Sequence, residues 1–198
     1  MEELFKLYSE ITEPDSRWQY LVGIDPKLFK ESCATKLKEF HSEISEIRLL
    51  PQAPEQLKSA FNTARNVFLY SWFVYSMIPV AVMHAYSTME MALRIKIGHS
   101  AERLSFKRCF QKAIDRNWIN DKGFRHFREL EGRRENLIAG DENSGSYAND
   151  PQHYCKILRD CVPDLRNSHA HGHAMLYPGC LHELELCADL INQLFYTE

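Results

Sequence analysis

The densest group of side chains able to do chemistry lies near the C-terminus, in the stretch Arg166-Asn167-Ser168-His169-Ala170-His171. Arginine is a permanent, fork-shaped cation that binds phosphate oxygens. Histidine gains or loses a proton near neutral pH, and asparagine can hold a ribose, a phosphate or an imidazole by hydrogen bonds. Together these side-chain types are sufficient for metal-free cleavage of RNA.

In that reaction a base removes the proton of a ribose 2′-hydroxyl, and the oxygen attacks the adjacent phosphate. A cation stabilises the crowded phosphorane, and an acid protonates the leaving 5′-oxygen. Because the nucleophile is the 2′-hydroxyl, the reaction is specific for RNA.

The spacing decides which side chains can act together. On a helix, Asn167 and His171 lie on one face, a turn apart. Arg166 and His171 are five residues apart, or about 140° around the helix axis. Both can address one cleft if the helix ends there or if a second subunit supplies the other wall. His173, two residues further on, is the reserve acid or base, and His169 is predicted to be solvent-facing or structural.

The stretch resembles the Arg-x4-6-His signature of HEPN domains, which in its common form reads Arg-Asn-x-x-x-His. Here that is Arg166-Asn167-Ser168-His169-Ala170-His171, and the Gly172 that follows is also often seen. Asn167 and Gly172 favour His171 over His173 as the signature histidine. The segment Tyr86–Arg94 resembles an earlier helix of such bundles, where a polar residue supports the motif, and Glu90 is the candidate for that role. The resemblance covers approximately residues 60–198.

The resemblance implies a small α-helical bundle, and many of its members are metal-independent endoribonucleases in toxin–antitoxin, phage-defence, CRISPR-associated and RNA-processing systems. It also implies a homodimer in which two motifs face each other. We therefore expect a ribonuclease acting on single-stranded RNA or tRNA without a metal or cofactor, with an antitoxin or other protein as a further partner. Arg166 would stabilise the phosphate, Asn167 would orient the groups, and His171 would be the acid and base.

Two other classes of function stay open. Some HEPN domains are inactive, so the same cleft could bind a nucleotide or a partner protein without catalysis. The chain could also be a structural helical oligomer with no active site.

The elements that must position these residues are predicted to be helical throughout, because apolar side chains recur at helical spacing and no stretch alternates like a strand. Pro51-Gln52-Ala53-Pro54 separates a predicted N-terminal helical extension, residues 1–54, from a predicted HEPN-like bundle, residues 55–198. We expect Asp25 and Pro26 to begin a helix and Asp121 to cap the helix that follows it. Pro79 is predicted to kink or split a helix, and Pro163 to break or restart one. The last helix is predicted over Leu181–Phe195.

Composition limits the alternatives. The formal net charge of −3 weighs against a protein that coats nucleic acid non-specifically. The first residues are acidic and mixed rather than apolar, which is not typical of a secretory signal. The uncharged stretch Val67–Met83 contains tyrosines, serines and a proline, so it is predicted to be a buried helix rather than a membrane span. A cytoplasmic protein with six reduced cysteines is expected.

Three further patterns have structural explanations that we favour. His169, His171 and His173 are alternately spaced, so on a helix they point to different sides, and zinc binding with His153, Cys155 or Cys161 is not expected. The charged segment Phe124–Glu135 interleaves both signs, which is typical of a solvated face rather than an RNA platform. The aromatic run from Phe68 to Tyr75 is predicted to lie in the bundle core or a dimer seam.

Overall fold

A computed structural model of the chain describes residues 6–22, 25–138, 150–171 and 181–196. Within these ranges the protein is an all-α bundle, and no strand occurs in them. Short 3-10 helices cover Tyr8–Glu10, Gly98–Ala101 and Asp121–Gly123. The α-helices are α1 (Arg17–Val22), α2 (Pro26–Glu46), α3 (Glu55–Tyr70), α4 (Met77–Ile97), α5 (Phe106–Asp115), α6 (Arg125–Ile138), α7 (His153–Ala170) and α8 (Leu181–Phe195).

The start of α2 follows its sequence signal. The Asp25 carboxylate accepts a hydrogen bond of 2.9 Å from the Lys27 amide, and Pro26 occupies the first helical position, where its missing N–H costs no bond. The end of α2 is tied to α3, because the Arg65 guanidinium donates to the carbonyls of Ile44 and Ser45. These contacts satisfy carbonyls that a helix end leaves without partners.

Helices α3 and α4 are separated by a turn over residues 71–76, so the prediction of a buried helix over Val67–Met83 is wrong at these residues. Pro79 lies inside the first turn of α4, where proline is tolerated. The turn is held from outside: the Trp18 indole donates to the Ser71 carbonyl at 2.9 Å, and the Asp15 carboxylate accepts from the Tyr75 amide at 2.9 Å. Tertiary contacts therefore fix a helix end that periodicity alone did not show.

The centre of the bundle is α4, which packs against α3, α5, α7 and α8. Its buried residues surround the helix on most sides, as expected for an element enclosed by neighbours. Gly98 ends α4 with a backbone φ of 76°, a conformation that favours glycine.

The helix that carries the Arg166–His171 stretch is a single element. We predicted that Pro163 would break or restart it, but α7 runs unbroken from His153 to Ala170 with Pro163 inside. Proline removes the hydrogen bond to the carbonyl four residues earlier, at a cost of about 3 kcal/mol. Burial of Cys155, Leu158 and Val162 along the same helix offsets that cost.

The predicted role of Asp121 also changes in the structure. Its carboxylate accepts hydrogen bonds of 2.9 Å from the amides of Tyr154 and Cys155, so it caps α7 rather than α6. The first turn of α6 is instead bonded to α8, where the Asp189 carboxylate accepts from the Arg125 amide at 2.7 Å. Helices α6 and α7 follow each other in the sequence, but the start of each is bonded to a residue far away along the chain.

The residues before α3 join the same hydrophobic core, to which Trp18, Phe29 and Ile44 contribute. Asn192 of α8 bonds the Arg48 carbonyl and the Leu50 amide in the segment that precedes α3. The division of the chain at residue 54 stays a prediction. No helix in the described ranges is long and apolar enough to cross a membrane.

Candidate functional site

Arg166 projects from α7 toward α4, where its Nη2 lies 2.8 Å from Oε2 of Glu90. Its Nη1 donates to the Asn167 side-chain oxygen at 3.0 Å. The Arg166 side chain keeps 34% of its surface exposed. The guanidinium is therefore held on one edge and still presents N–H groups to solvent.

Glu90 is the residue that binds two arginines at once. Its second oxygen, Oε1, accepts from Arg94 Nε at 3.1 Å and from Arg94 Nη2 at 2.7 Å. Arg94 also donates to the carbonyls of Ala101 and Leu104, at 2.8 Å and 3.0 Å. The hydrogen bond to Glu90 raises the pKa of Arg94, against the opposing effect of burial. Two cations share one carboxylate that is only 13% exposed, so the three side chains carry a net charge of +1.

Asn167 and His171 are both exposed, one turn apart on α7. His171 caps the end of the helix, and its amide donates to the Asn167 carbonyl at 3.0 Å. From Arg166 to His171 the helix rises about 7.5 Å and turns about 140°. The predicted reserve histidine, His173, and the glycine at position 172 lie outside the described residues.

His169 is half-buried. Of the two predictions for this residue, a structural role fits this burial better than a solvent-facing position does. Its ring centroid lies 6.1 Å from that of Tyr86 on α4. The Nδ1 atom is buried without a hydrogen-bond partner among the described residues. Burial lowers the pKa of this imidazole, and the nearby Glu183 carboxylate opposes the shift.

Tyr86 and Glu183 complete the surroundings of the motif, and the sequence pattern did not single out either one. The Tyr86 hydroxyl donates to Oε2 of Glu183, which joins α4 to the first turn of α8. The signal in the sequence was helical spacing. Tyr86 lies four residues before Glu90 on α4, and His169 lies three residues after Arg166 on α7, so the members of each pair lie on one face of their helix. These two pairs face each other in the bundle.

The structure thus brings Glu90, Arg166 and Asn167 together and leaves His171 at the open end of the same helix. Such an arrangement can hold an anionic group on the guanidinium and can offer a proton donor or acceptor nearby. Among the described residues, no group of histidine, cysteine, aspartate or glutamate side chains is placed to hold a metal ion. The five cysteines in the described ranges are free thiols, and Cys109, Cys155 and Cys187 are buried.

Comparison with family models, with curated proteins and with solved structures found no match to this chain.

Proposed function

We propose that this protein is a metal-independent endoribonuclease of the HEPN type that cleaves single-stranded RNA or tRNA by attack of the 2′-hydroxyl. The observation that carries the proposal is the ion pair between Arg166 and the mostly buried Glu90. It gives a permanent cation a fixed position on one edge while its remaining N–H groups stay accessible. A cation preorganised in this way is what the transition state of phosphate cleavage requires.

In the proposed mechanism Arg166 binds the non-bridging oxygens of the scissile phosphate. Asn167, whose side-chain oxygen accepts from Arg166, orients the guanidinium. His171 takes the 2′-hydroxyl proton or gives a proton to the leaving 5′-oxygen, because a histidine can do both near neutral pH. Glu90 is a positioning residue, since it acts through Arg166.

A homodimer is part of the proposal. Arg166 and His171 point in directions about 140° apart on α7, and two copies of that helix that face each other would surround one phosphate from both sides. The exposed face of α7 supports such an association, because Ile157 and Leu165 are 45% and 42% exposed and lie eight residues apart, on either side of the exposed Cys161. With the dimer we also propose a role in toxin–antitoxin or defence systems, a cytoplasmic location and an antitoxin partner.

The test is cleavage of RNA in the presence of EDTA. We expect products with 2′,3′-cyclic phosphate ends. Arg166→Ala should lower the rate by about 10²- to 10³-fold and His171→Ala by about 10²- to 10⁴-fold. Glu90→Gln should lower it less than Arg166→Ala does, since the guanidinium remains.

Two substitutions outside the site serve as controls. Arg65→Ala removes an arginine that bonds the end of α2, and His99→Ala removes a fully exposed histidine. Both should keep the wild-type rate for the folded fraction. Equal activity in Arg166→Ala, His171→Ala and the controls would rule out the site. RNA binding without any cleavage would instead favour the non-catalytic binding module.

A further inference from the structure

A groove with cationic side chains lies between α5 and α7. It has a volume of about 310 Å³. Its lining residues, from the segment before α5, from α5 itself and from α7, are Ser105, Lys107, Arg108, Gln111 and Arg159. The Arg159 guanidinium donates to the Gln111 side-chain oxygen across the groove, which joins the two helices.

The charge of this groove contrasts with that of the whole chain. Residues 103–112 contain four cations and no acidic residue, although the chain has a net charge of −3. Two carboxylates lie near the groove. Asp160 pairs with Lys107 at 2.8 Å and with Arg159 at 2.6 Å, and Asp115 accepts from the Gln111 side chain at 2.7 Å and lies close enough to interact with the charge of Arg159. Because Lys107, Arg108 and Arg159 outnumber Asp160 and Asp115, the groove keeps a net charge of +1.

Helix stability does not explain these charges. Lys107 and Arg108 lie in the first turn of α5, which contains no acidic residue. Cations are unfavourable there because the helix dipole is positive at that end. Arg108 and Lys112 are also like charges four residues apart, which destabilises a helix slightly. The Lys107–Asp160 pair offsets part of this cost, and the unfavourable remainder favours an explanation by an anionic ligand.

The groove has a fixed position relative to Arg166. Arg159 and Arg166 are seven residues apart on the unbroken α7, so they lie on nearly the same side with a separation of about 10.5 Å along the axis. The segment before α5 is held as well, because Arg94, which shares Glu90 with Arg166, bonds the carbonyls of Ala101 and Leu104. At a rise of about 3.4 Å per nucleotide in a stacked strand, a separation of about 10.5 Å corresponds to roughly three nucleotides.

We infer that the groove between α5 and α7 binds backbone phosphates of an RNA strand about three nucleotides from the phosphate held by Arg166. This inference rests on the proposed function. Lys107 and Arg108 would bind phosphate oxygens directly, and Arg159 would exchange part of its pairing with the half-exposed Asp160 for a phosphate. These interactions would be with the backbone, so they would position the strand without reading its sequence.

The experiment measures binding to a single-stranded RNA oligonucleotide whose 2′-hydroxyls are methylated, because such a strand cannot be cleaved by 2′-hydroxyl attack. The full-length chain is titrated over a range of salt concentrations. Lys107→Gln combined with Arg108→Gln should weaken binding. The slope of log affinity against log salt should become shallower by about 0.7 for each phosphate that the protein no longer neutralises, or roughly 1.4 for the double variant.

The matched control is Lys30→Gln combined with Lys38→Gln, which removes the same charge from exposed positions of α2. It should leave the slope unchanged. Equal slopes in the two double variants, or absence of binding by the wild type, would overturn the inference. If the protein bound RNA through the groove but did not cleave unmodified RNA, the proposed function would be contradicted. The inference about the groove would still stand.

Discussion

His169 shows how burial changes a single side chain within the motif. It follows Arg166 by three residues and lies on the side of α7 that packs against Tyr86. Its buried Nδ1 has no hydrogen-bond partner in the described part of the chain. An imidazole in such surroundings is less easily protonated in the folded protein than in the unfolded chain.

This environment predicts a pH dependence of stability. Burial lowers the pKa of His169 below its ordinary value of 6.5, so the unfolded chain binds a proton more readily than the folded protein. The contribution of neutral His169 to the free energy of unfolding is fully present above the pKa that this histidine has in the unfolded chain. It is lost as the pH falls through that value toward the lower pKa of the folded protein. Urea denaturation between about pH 7.5 and about pH 5.5 should show a smaller loss of unfolding free energy for His169→Gln than for the wild type.

His99→Gln is the control for this measurement, because the His99 side chain is fully exposed. Its stability should fall with pH as the wild type does. If His169→Gln lost as much stability on acidification as His99→Gln, the buried environment of His169 would not be the cause.

At the scale of the element, α7 carries Arg166, and the start of α7 depends on Asp121. This buried carboxylate accepts from two amides of the first turn, those of Tyr154 and Cys155. The bonds satisfy donors that a helix N-terminus otherwise leaves without partners, and the negative charge is favourable at that end. They also tie α7 to the segment between α5 and α6.

Asp121→Ala should therefore lower the free energy of unfolding by about 2 kcal/mol, because it leaves two amides, one buried and one half-buried, without an acceptor. Asp25→Ala is the matched comparison, since Asp25 caps α2 through one bond at an exposed position. We expect it to cost about 1 kcal/mol or less. Urea denaturation measures both. A decrease in Asp121→Ala no larger than that in Asp25→Ala would contradict the assigned role of Asp121.

At the scale of the whole molecule, the proposed site depends on a second copy of the chain. The exposed Leu165 precedes Arg166 on α7 and lies about 100° around the helix axis from it, so the proposed dimer would form beside the two motifs. Leu165→Asp would place an unpaired charge in that interface. We expect the dimer dissociation constant, measured by analytical ultracentrifugation, to rise at least about tenfold, which corresponds to about 1.4 kcal/mol.

Leu28→Asp on α2 is the control, because Leu28 is also an exposed leucine and lies away from α7. It should leave the dissociation constant unchanged. A monomeric wild type would contradict the dimer, and a Leu165→Asp variant that dimerises normally would exclude α7 as the interface. Arg166→Ala and His171→Ala, each inactive alone, should regain activity when mixed if one site takes residues from both copies.

The amino-acid sequence by itself determined the helical class of this protein and the Arg166–His171 stretch as the candidate site. It also determined helix ends whose signals are local, such as Asp25 and Pro26 before α2, and the span of α8. Each of these depends on backbone geometry or apolar periodicity within a few residues. Such features need no distant partner.

The tertiary structure decided what depends on distant partners. It kept α7 continuous through Pro163, because burial along the helix offsets the missing hydrogen bond. It assigned Asp121 to α7 and set His169 against Tyr86. Glu90 was a candidate from the sequence, but only packing shows that its carboxylate joins Arg166 to Arg94. Hydrogen bonds between helices depend on how their faces meet, and that information is not contained in the spacing along either helix.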